Sequence, residues 1–190
     1  MTCIVGIEHA GVVWIGGDSA AVCGMGINTR YDEKVFINDT LLIGFTDSFR
    51  MGQLLRYGFD VPEHSPKKDD WEYLIIDVMD VIRDLFKDRG WLGKDEDRES
   101  GGDWLMGYKG KLYTVFSDFQ VGRSRDGYAA CGCGEDIALG SLHTTANIIN
   151  SQGQVDQSLI RSPQERITMA LGASSHHSAG VRPPFTILSL

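Results

Sequence analysis

The chain has 190 residues and a formal net charge of −8, from 18 Lys plus Arg against 26 Asp plus Glu. This acidic balance argues against binding to nucleic acid or to an anionic membrane, because both favour basic surfaces. The composition, 42% hydrophobic and 23% charged, is typical of a globular protein, and the length predicts one domain spanning 1–190. No apolar run predicts a membrane span and no signal-peptide pattern opens the chain, so we expect a cytoplasmic protein.

The N-terminal quarter of the chain is predicted to form short strands. Apolar and β-branched residues occupy 3–8, a turn follows at Ala10-Gly11, and residues 12–15 return, which predicts a hairpin. Further strands are predicted at 25–30, 34–37 and 41–45.

Helices are predicted next. One covers 48–57, and a longer one begins at Asp69, where Glu72 three residues later suggests a capping box. Apolar residues then recur at helical spacing over about four turns until Gly90. The mixed-charge segment 94–99 is predicted to be a solvated loop.

The second half of the chain repeats this order of strands and then helices. A hairpin is predicted at 104–116 and a further strand within 121–130. Helices at 135–149 and at about 163–173 follow, joined by a polar connector at 152–162, and Pro163 suits a first helical turn. A last strand is predicted at 185–190. Two helix pairs covering two stacked sheets indicate a layered α+β fold.

Three polar residues are positioned at strand ends in this pattern: Thr2, Asp18 and Lys34. Each has a simple structural explanation when considered alone. Thr2 could begin an edge strand, Asp18 could cap a turn, and Lys34 could be a solvated charge at a strand end.

Their joint spacing resembles that of proteasome β-type subunits and the bacterial HslV peptidase, which are N-terminal nucleophile (Ntn) hydrolases. An apolar strand follows the threonine, Gly-Gly-Asp-Ser occupies 16–19, and the lysine comes 32 residues after the threonine. Ala-Cys-Gly-Cys-Gly at 130–134 precedes a predicted helix, where that family has Gly-Ser-Gly. The resemblance covers most of the chain and implies a four-layer αββα sandwich with threonine peptidase activity.

The resemblance also implies a role for each catalytic residue. Thr2 would be the nucleophile and its own α-amine the base, because a hydroxyl is a poor nucleophile at neutral pH without one. Lys34 would favour the deprotonated hydroxyl, and Asp18 would hold the lysine ammonium in place. The backbone amide of Ser48, at a helix start, would stabilise the oxyanion of the tetrahedral intermediate.

Three of the implied site positions depart from that family, and the mechanism carries one condition. Ser175 stands where proteasome subunits have an aspartate. Ser48 stands where glycine is common, and Cys133 stands where a serine hydrogen-bonds near the threonine amine. A thiol is a weaker donor and acceptor than a hydroxyl. The amine of Thr2 is free only after removal of Met1.

No cofactor is required by this chemistry, although the resemblance suggests a structural cation. Gly172, Ser175 and Ser178 keep the spacing of a family loop that often binds a cation through backbone carbonyls. They are therefore candidate ligands for Na⁺ or Mg²⁺.

The resemblance implies a homo-oligomer of stacked rings that degrades polypeptide substrates. A separate ATP-dependent unfoldase would feed such rings, because this chain has no phosphate-binding loop of its own. Two alternatives stay open: a structural, ring-forming homologue without catalysis, and an Ntn amidase acting on small amides. Cys3 is a rival nucleophile that would require the loss of both Met1 and Thr2.

Overall fold

The computed structural model describes residues 1–146 and 161–190. The strands, in chain order, are β1 (Cys3–His9), β2 (Val12–Gly17), β3 (Ala20–Cys23), β4 (Gly26–Thr29), β5 (Val35–Asn38), β6 (Leu41–Phe45), β7 (Gly93–Asp95), β8 (Arg98–Ser100), β9 (Trp104–Tyr108), β10 (Lys111–Val115), β11 (Val121–Gly122), β12 (Tyr128–Gly132) and β13 (Thr186–Ser189). The helices are α1 (Phe49–Tyr57), α2 (Asp70–Glu72), α3 (Met79–Asp88), α4 (Glu135–Ala146) and α5 (Pro163–His177).

Two antiparallel sheets form the centre of the fold. The first has the strand order β12-β1-β2-β13, and the second has the order β11-β10-β9-β6-β5. An apolar layer between them joins Ile4 and Ile15 of the first sheet to Val35 and Leu105 of the second.

Helices cover the outer face of each sheet. Apolar residues of α4 and α5, such as Leu142 and Leu171, pack on β1 and β12. Those of α1 and α3, such as Leu55 and Ile82, pack on the second sheet. The layers therefore run helix, sheet, sheet, helix, which confirms the predicted α+β, four-layer αββα sandwich.

The helix that follows Asp69 is less regular than its apolar spacing predicts. Asp69 does cap it, accepting a hydrogen bond from the Glu72 amide at 2.8 Å. Between α2 and α3, however, Tyr73–Val78 is π-helical. Because a π turn widens the helix by one residue, side-chain periodicity alone does not reveal it.

Four other predictions need correction or fall outside the described residues. The charged segment 94–99 is mostly strand, because β7 and β8 pair as a hairpin instead of forming a loop. Helix α5 runs to His177, four residues beyond its predicted end. The predicted end of the preceding helix and most of the connector at 152–162 lie outside the described residues.

Among the helices of residues 1–146 and 161–190, none has the length and apolarity needed to cross a bilayer.

Candidate active site

Thr2, Asp18 and Lys34 meet at one point in the structure. The Nζ atom of Lys34 donates to the Thr2 hydroxyl at 2.9 Å and to Oδ1 of Asp18 at 2.9 Å. All three residues are buried, with Lys34 only 2% exposed. The spacing that suggested a common site in the sequence therefore corresponds to direct contact in the fold.

The sheet arrangement explains this convergence. Thr2 precedes β1 and Asp18 follows β2, and the antiparallel register pairs the start of β1 with the end of β2. Lys34 immediately precedes β5 in the facing sheet, where Val35 packs in the layer between the sheets. One side chain from the second sheet therefore reaches two residues at an edge of the first.

Asp18 is held by backbone donors as well as by Lys34. Its Oδ1 also accepts from the Cys3 amide at 3.0 Å, and its Oδ2 accepts from the amides of Ala20 at 2.8 Å and Arg182 at 3.2 Å. The site therefore contains a fixed carboxylate that positions the lysine ammonium.

Burial also acts on Lys34 itself. Removal from water lowers the pKa of this lysine from its usual value of 10.5, and the neighbouring Asp18 carboxylate partly opposes that shift. A buried ammonium that retains a carboxylate partner keeps its charge more readily than an unpaired one. Lys34 thus directs its Nζ atom at the Thr2 hydroxyl and has a lower pKa than a surface lysine.

The backbone of Thr2 is also bound at the site. Its N–H donates to the Cys133 sulfur at 3.3 Å, and that sulfur lies 3.4 Å from the Ser178 hydroxyl. The Thr2 hydroxyl donates to the carbonyl of Met1 at 2.7 Å. With Met1 attached, the Thr2 nitrogen is an amide and carries no basic lone pair.

Two glycines allow the chain segments to approach Thr2 closely. Gly132 has a φ of +95°, and a Cβ there would collide with the Thr2 carbonyl oxygen. A Cβ on Gly180 would collide with the Met1 side chain and lie 2.9 Å from the Cys133 sulfur. The site is therefore enclosed by backbone that has no room for side chains at these two positions.

Ser48 is the N-cap of α1, as its predicted place at a helix start requires. Its hydroxyl accepts from the Arg50 amide at 3.1 Å, which satisfies one free donor of the first turn. Ser48 and Thr2 both line a cleft of about 410 Å³. A substrate in this cleft would lie beside both residues.

The remaining walls of the cleft come mainly from the β3–β4 hairpin and from the segment that leads into α1. Arg30 forms one wall, pairing with Asp32 at 2.5 Å and stacking its guanidinium 4.0 Å over the Phe49 ring. The other lining residues are Met1, Ala20, Ala21, Val22, Cys23, Asn28, Lys34, Phe45, Thr46 and Asp47.

The three candidate cation ligands are placed differently from the loop that their spacing suggested. Gly172 and Ser175 lie within α5, and only Ser178 lies beyond its last residue. The carbonyls of Ser175 and Ser178 accept hydrogen bonds from the Arg182 guanidinium at 3.4 and 3.2 Å.

Sequence reasoning missed two side-chain contributions near the site. The Ser178 hydroxyl was not considered, although it contacts Cys133, and Arg182 was not considered at all. The only signal for Arg182 is a charged residue between Val181 and Pro183, just before the last strand. That pattern is also typical of an ordinary surface arginine, so only the fold reveals its contacts.

The fold can be compared with known structures. The structure is similar over its full length to that of BPH, a bacterial proteasome homologue from Thiobacillus denitrificans. The TM-score is 0.77 at 16% sequence identity, and the match covers 100% of this chain and 97% of that one. HslV from Trypanosoma brucei gives a TM-score of 0.65 at 14% identity, covering 100% of this chain and 99% of that one. No protein-family model matches the sequence, and no curated protein matches it either.

A third similar structure is Anbu, an ancestral β-subunit from Yersinia bercovieri, with a TM-score of 0.65 and 12% identity over 99% of this chain and 81% of that one. All three neighbours are proteasome-like Ntn hydrolases by fold. The chain therefore has the proteasome-like Ntn-hydrolase fold, as its N-terminal motifs suggested.

Proposed function

We propose that this protein is a threonine peptidase whose nucleophile is Thr2 after removal of Met1. The observation that carries the proposal is the 2.9 Å contact between the Lys34 ammonium and the Thr2 hydroxyl, with Asp18 holding the ammonium from the other side. Most lysines are exposed at the protein surface. Burial of Lys34 between a hydroxyl and a carboxylate therefore indicates a role for its charge at this position.

The proposed reaction begins at the hydroxyl of Thr2. Its oxygen attacks the carbonyl carbon of a peptide bond, and its proton passes to the free α-amine. The Ser48 amide stabilises the resulting oxyanion, and the Lys34 charge favours the deprotonated hydroxyl. Collapse expels the amine product, which takes the proton, and water then hydrolyses the ester left on Thr2.

Cys133 and Ser178 would position the amine in this scheme. The sulfur already contacts the Thr2 nitrogen, and the Ser178 hydroxyl contacts the sulfur. After Met1 is removed, the nitrogen becomes an amine beside the hydroxyl of its own residue. A base so close to the nucleophile needs only to be held in orientation.

We propose further that the chains assemble into stacked homo-oligomeric rings with the clefts facing an inner chamber. The support is the full-length fold similarity to BPH and HslV. A chamber of this kind admits unfolded polypeptide, so a separate ATP-dependent unfoldase is the partner that this assembly would use.

The test of the proposal is the Thr2→Ala variant. We expect loss of at least ~10³-fold in peptide hydrolysis, because the nucleophile is removed, with an unchanged assembly in size-exclusion chromatography. Thr168→Ala removes an exposed threonine hydroxyl from α5 and should leave turnover unchanged. Hydrolysis by Thr2→Ala at the wild-type rate would rule out the threonine mechanism.

A covalent probe separates the active peptidase from the non-catalytic alternative. BPH has been solved in complex with epoxomicin, so this compound is a suitable first electrophile. We expect one adduct per chain on Thr2 once Met1 is removed. An intact assembly that binds no electrophile and cleaves no peptide would instead support a structural homologue, and cleavage of small amides alone would support an Ntn amidase.

A further inference from the structure

Arg182 makes an unusual set of contacts close to the candidate active site. Its Nη1 atom donates to the carbonyls of Val181 at 2.7 Å, Ser178 at 3.2 Å and Ser175 at 3.4 Å. One guanidinium nitrogen thus lies among three carbonyl oxygens. The side chain is partly buried, so these contacts are shielded in part from water.

The position of these carbonyls explains why they attract a cation. Ser175 lies in the last turn of α5, which ends at His177, so its carbonyl has no partner within the helix, whereas Ser178 and Val181 lie beyond the helix end. The helix dipole places partial negative charge at the same end. A positive group at this point gives the Ser175 carbonyl a donor and interacts favourably with the dipole.

The same residue also reaches the catalytic cluster through its backbone. The Arg182 amide donates to Oδ2 of Asp18 at 3.2 Å, the carboxylate that holds Lys34. Ser178, whose carbonyl accepts from the guanidinium, contacts the Cys133 sulfur beside the Thr2 nitrogen. Arg182 is therefore linked by hydrogen bonds to the carboxylate that holds Lys34 and, through Ser178 and Cys133, to the Thr2 nitrogen.

A bound metal cation does not fit this arrangement. Two of the three candidate carbonyls, those of Ser175 and Ser178, already accept from the guanidinium, and Gly172 lies inside α5. A metal ion in contact with these oxygens would lie beside a fixed positive charge, which opposes its binding. Within residues 1–146 and 161–190, no cluster of three or more His, Cys, Asp or Glu side chains offers another site.

We propose that Arg182 is a built-in cation that orders the segment 178–182 and positions Asp18 and the Thr2 nitrogen, so that this site needs no metal ion. The effect of Arg182 on stability does not depend on the proposed function, whereas its effect on the reactivity of Thr2 rests on that function. Arg182 is not among the residues that line the cleft, and its contacts with the site run through Asp18 and Ser178, so it acts as a positioning residue.

The first experiment measures thermal unfolding of the full-length protein with different cations. We expect the Tm of the wild type to be unchanged by chelator or by replacement of Na⁺ with a bulky organic cation. Arg182→Ala should lower the Tm by about 3–10 °C, because three carbonyls lose a charged donor. Millimolar guanidinium should restore part of that loss, since it can refill the vacated position.

Matched variants separate charge from general damage. Arg125→Ala removes an exposed arginine from another part of the chain and should leave the Tm unchanged. Arg182→Lys retains the charge and should lie between wild type and Arg182→Ala. If Arg182→Ala does not fold, Arg182→Lys and the cation dependence of the wild type still test the proposal.

The second experiment follows the rate at which the electrophile labels Thr2 after Met1 removal. We expect Arg182→Ala to react roughly tenfold or more slowly than wild type, with partial rescue by guanidinium but none for Arg125→Ala. Rescue by a small cation is a response that a purely structural loss would not show.

Two results would overturn the inference. One is a wild-type protein that loses stability when Na⁺ and Mg²⁺ are removed, and the other is an Arg182→Ala variant that matches Arg125→Ala in both experiments. A wild type with no labelling at Thr2 would count against the proposed peptidase instead, and the thermal experiment would still decide the role of Arg182.

Discussion

At the scale of single residues, the buried Lys34 ammonium sets the pH range in which the proposed chemistry can operate. The Thr2 α-amine must lose its proton to act as a base, and such amines ordinarily have pKa values near about 7.7–8. Lys34 must keep its proton to favour the deprotonated hydroxyl. Burial lowers the pKa of this lysine from 10.5, so the upper pH limit for activity is lower than it would be with an ordinary lysine.

The pH dependence of kcat/KM on a short peptide should therefore be bell-shaped. Activity should rise as the α-amine loses its proton, and it should fall as Lys34 loses its own at a pH below 10.5. The alkaline fall must come earlier than for an ordinary lysine, since desolvation disfavours the charged form. A rate that stays constant up to pH 10.5, with the protein still folded, would contradict this role for Lys34.

The resemblance to proteasome β-type subunits predicted the central contact of the site, and the residues that carry it lie close to strand ends. Thr2, Asp18 and Lys34 are each within two residues of a strand, so their spacing along the chain is tied to the sheet register. Arg182 lies beyond a long helix, and its partners are backbone carbonyls that have no side-chain signature. Contacts of this kind depend on where a helix ends, which sequence patterns locate poorly.

At the scale of elements, the end of α5 decides what the segment 172–178 can do. The predicted end near residue 173 left Ser175 in a loop, whereas the observed helix includes it. The charged hairpin β7–β8 was missed for a related reason, because its residues carry little apolar alternation. In both places local hydrogen bonding determines the structure, and hydrophobic periodicity carries no information about it.

Glycine substitutions test these element boundaries. Gly172→Ala should stabilise the protein by about 0.5–1 kcal/mol, since the position is helical and a Cβ there meets nothing within 4 Å. Gly132→Ala should destabilise it by about 1–3 kcal/mol, because the φ of +95° is strained for alanine and the Cβ would meet Thr2. Urea unfolding measures both differences.

The two variants act as controls for each other, because each adds one methyl group to a glycine. Gly132→Ala should also slow labelling of Thr2, whereas Gly172→Ala should not. Destabilisation by Gly172→Ala would contradict the helical structure assigned to α5 around residue 172.

At the scale of the whole molecule, the close packing of the two sheets brings Lys34 to Thr2. Gly44 lies where the sheets face each other, and a Cβ there would lie 2.6 Å from Ile4 and 2.7 Å from Ile15. Such close approach leaves the layer thin near the site. A lysine on one sheet can then reach a hydroxyl on the other without exposing its charge.

The layer order of the fold could be predicted from the sequence, because blocks of strands alternate with pairs of helices. Each sheet needs one helix pair to cover its outer face. Pairing between distant strands, such as β1 with β12 and β2 with β13, could not. Each pair joins a strand of the N-terminal hairpin to a strand far away along the chain, and nothing local to either strand encodes its partner. The similarity of the fold to BPH and HslV supports the layered architecture over the full length of the chain.

The measurement that tests the central proposal most directly is the intact mass of the purified protein before and after exposure to the electrophile. We predict a mass that lacks Met1, followed by one covalent adduct per chain, located on Thr2 by peptide mapping and absent from Thr2→Ala. A chain that lacks Met1, remains folded and forms no adduct at Thr2 would contradict the threonine peptidase.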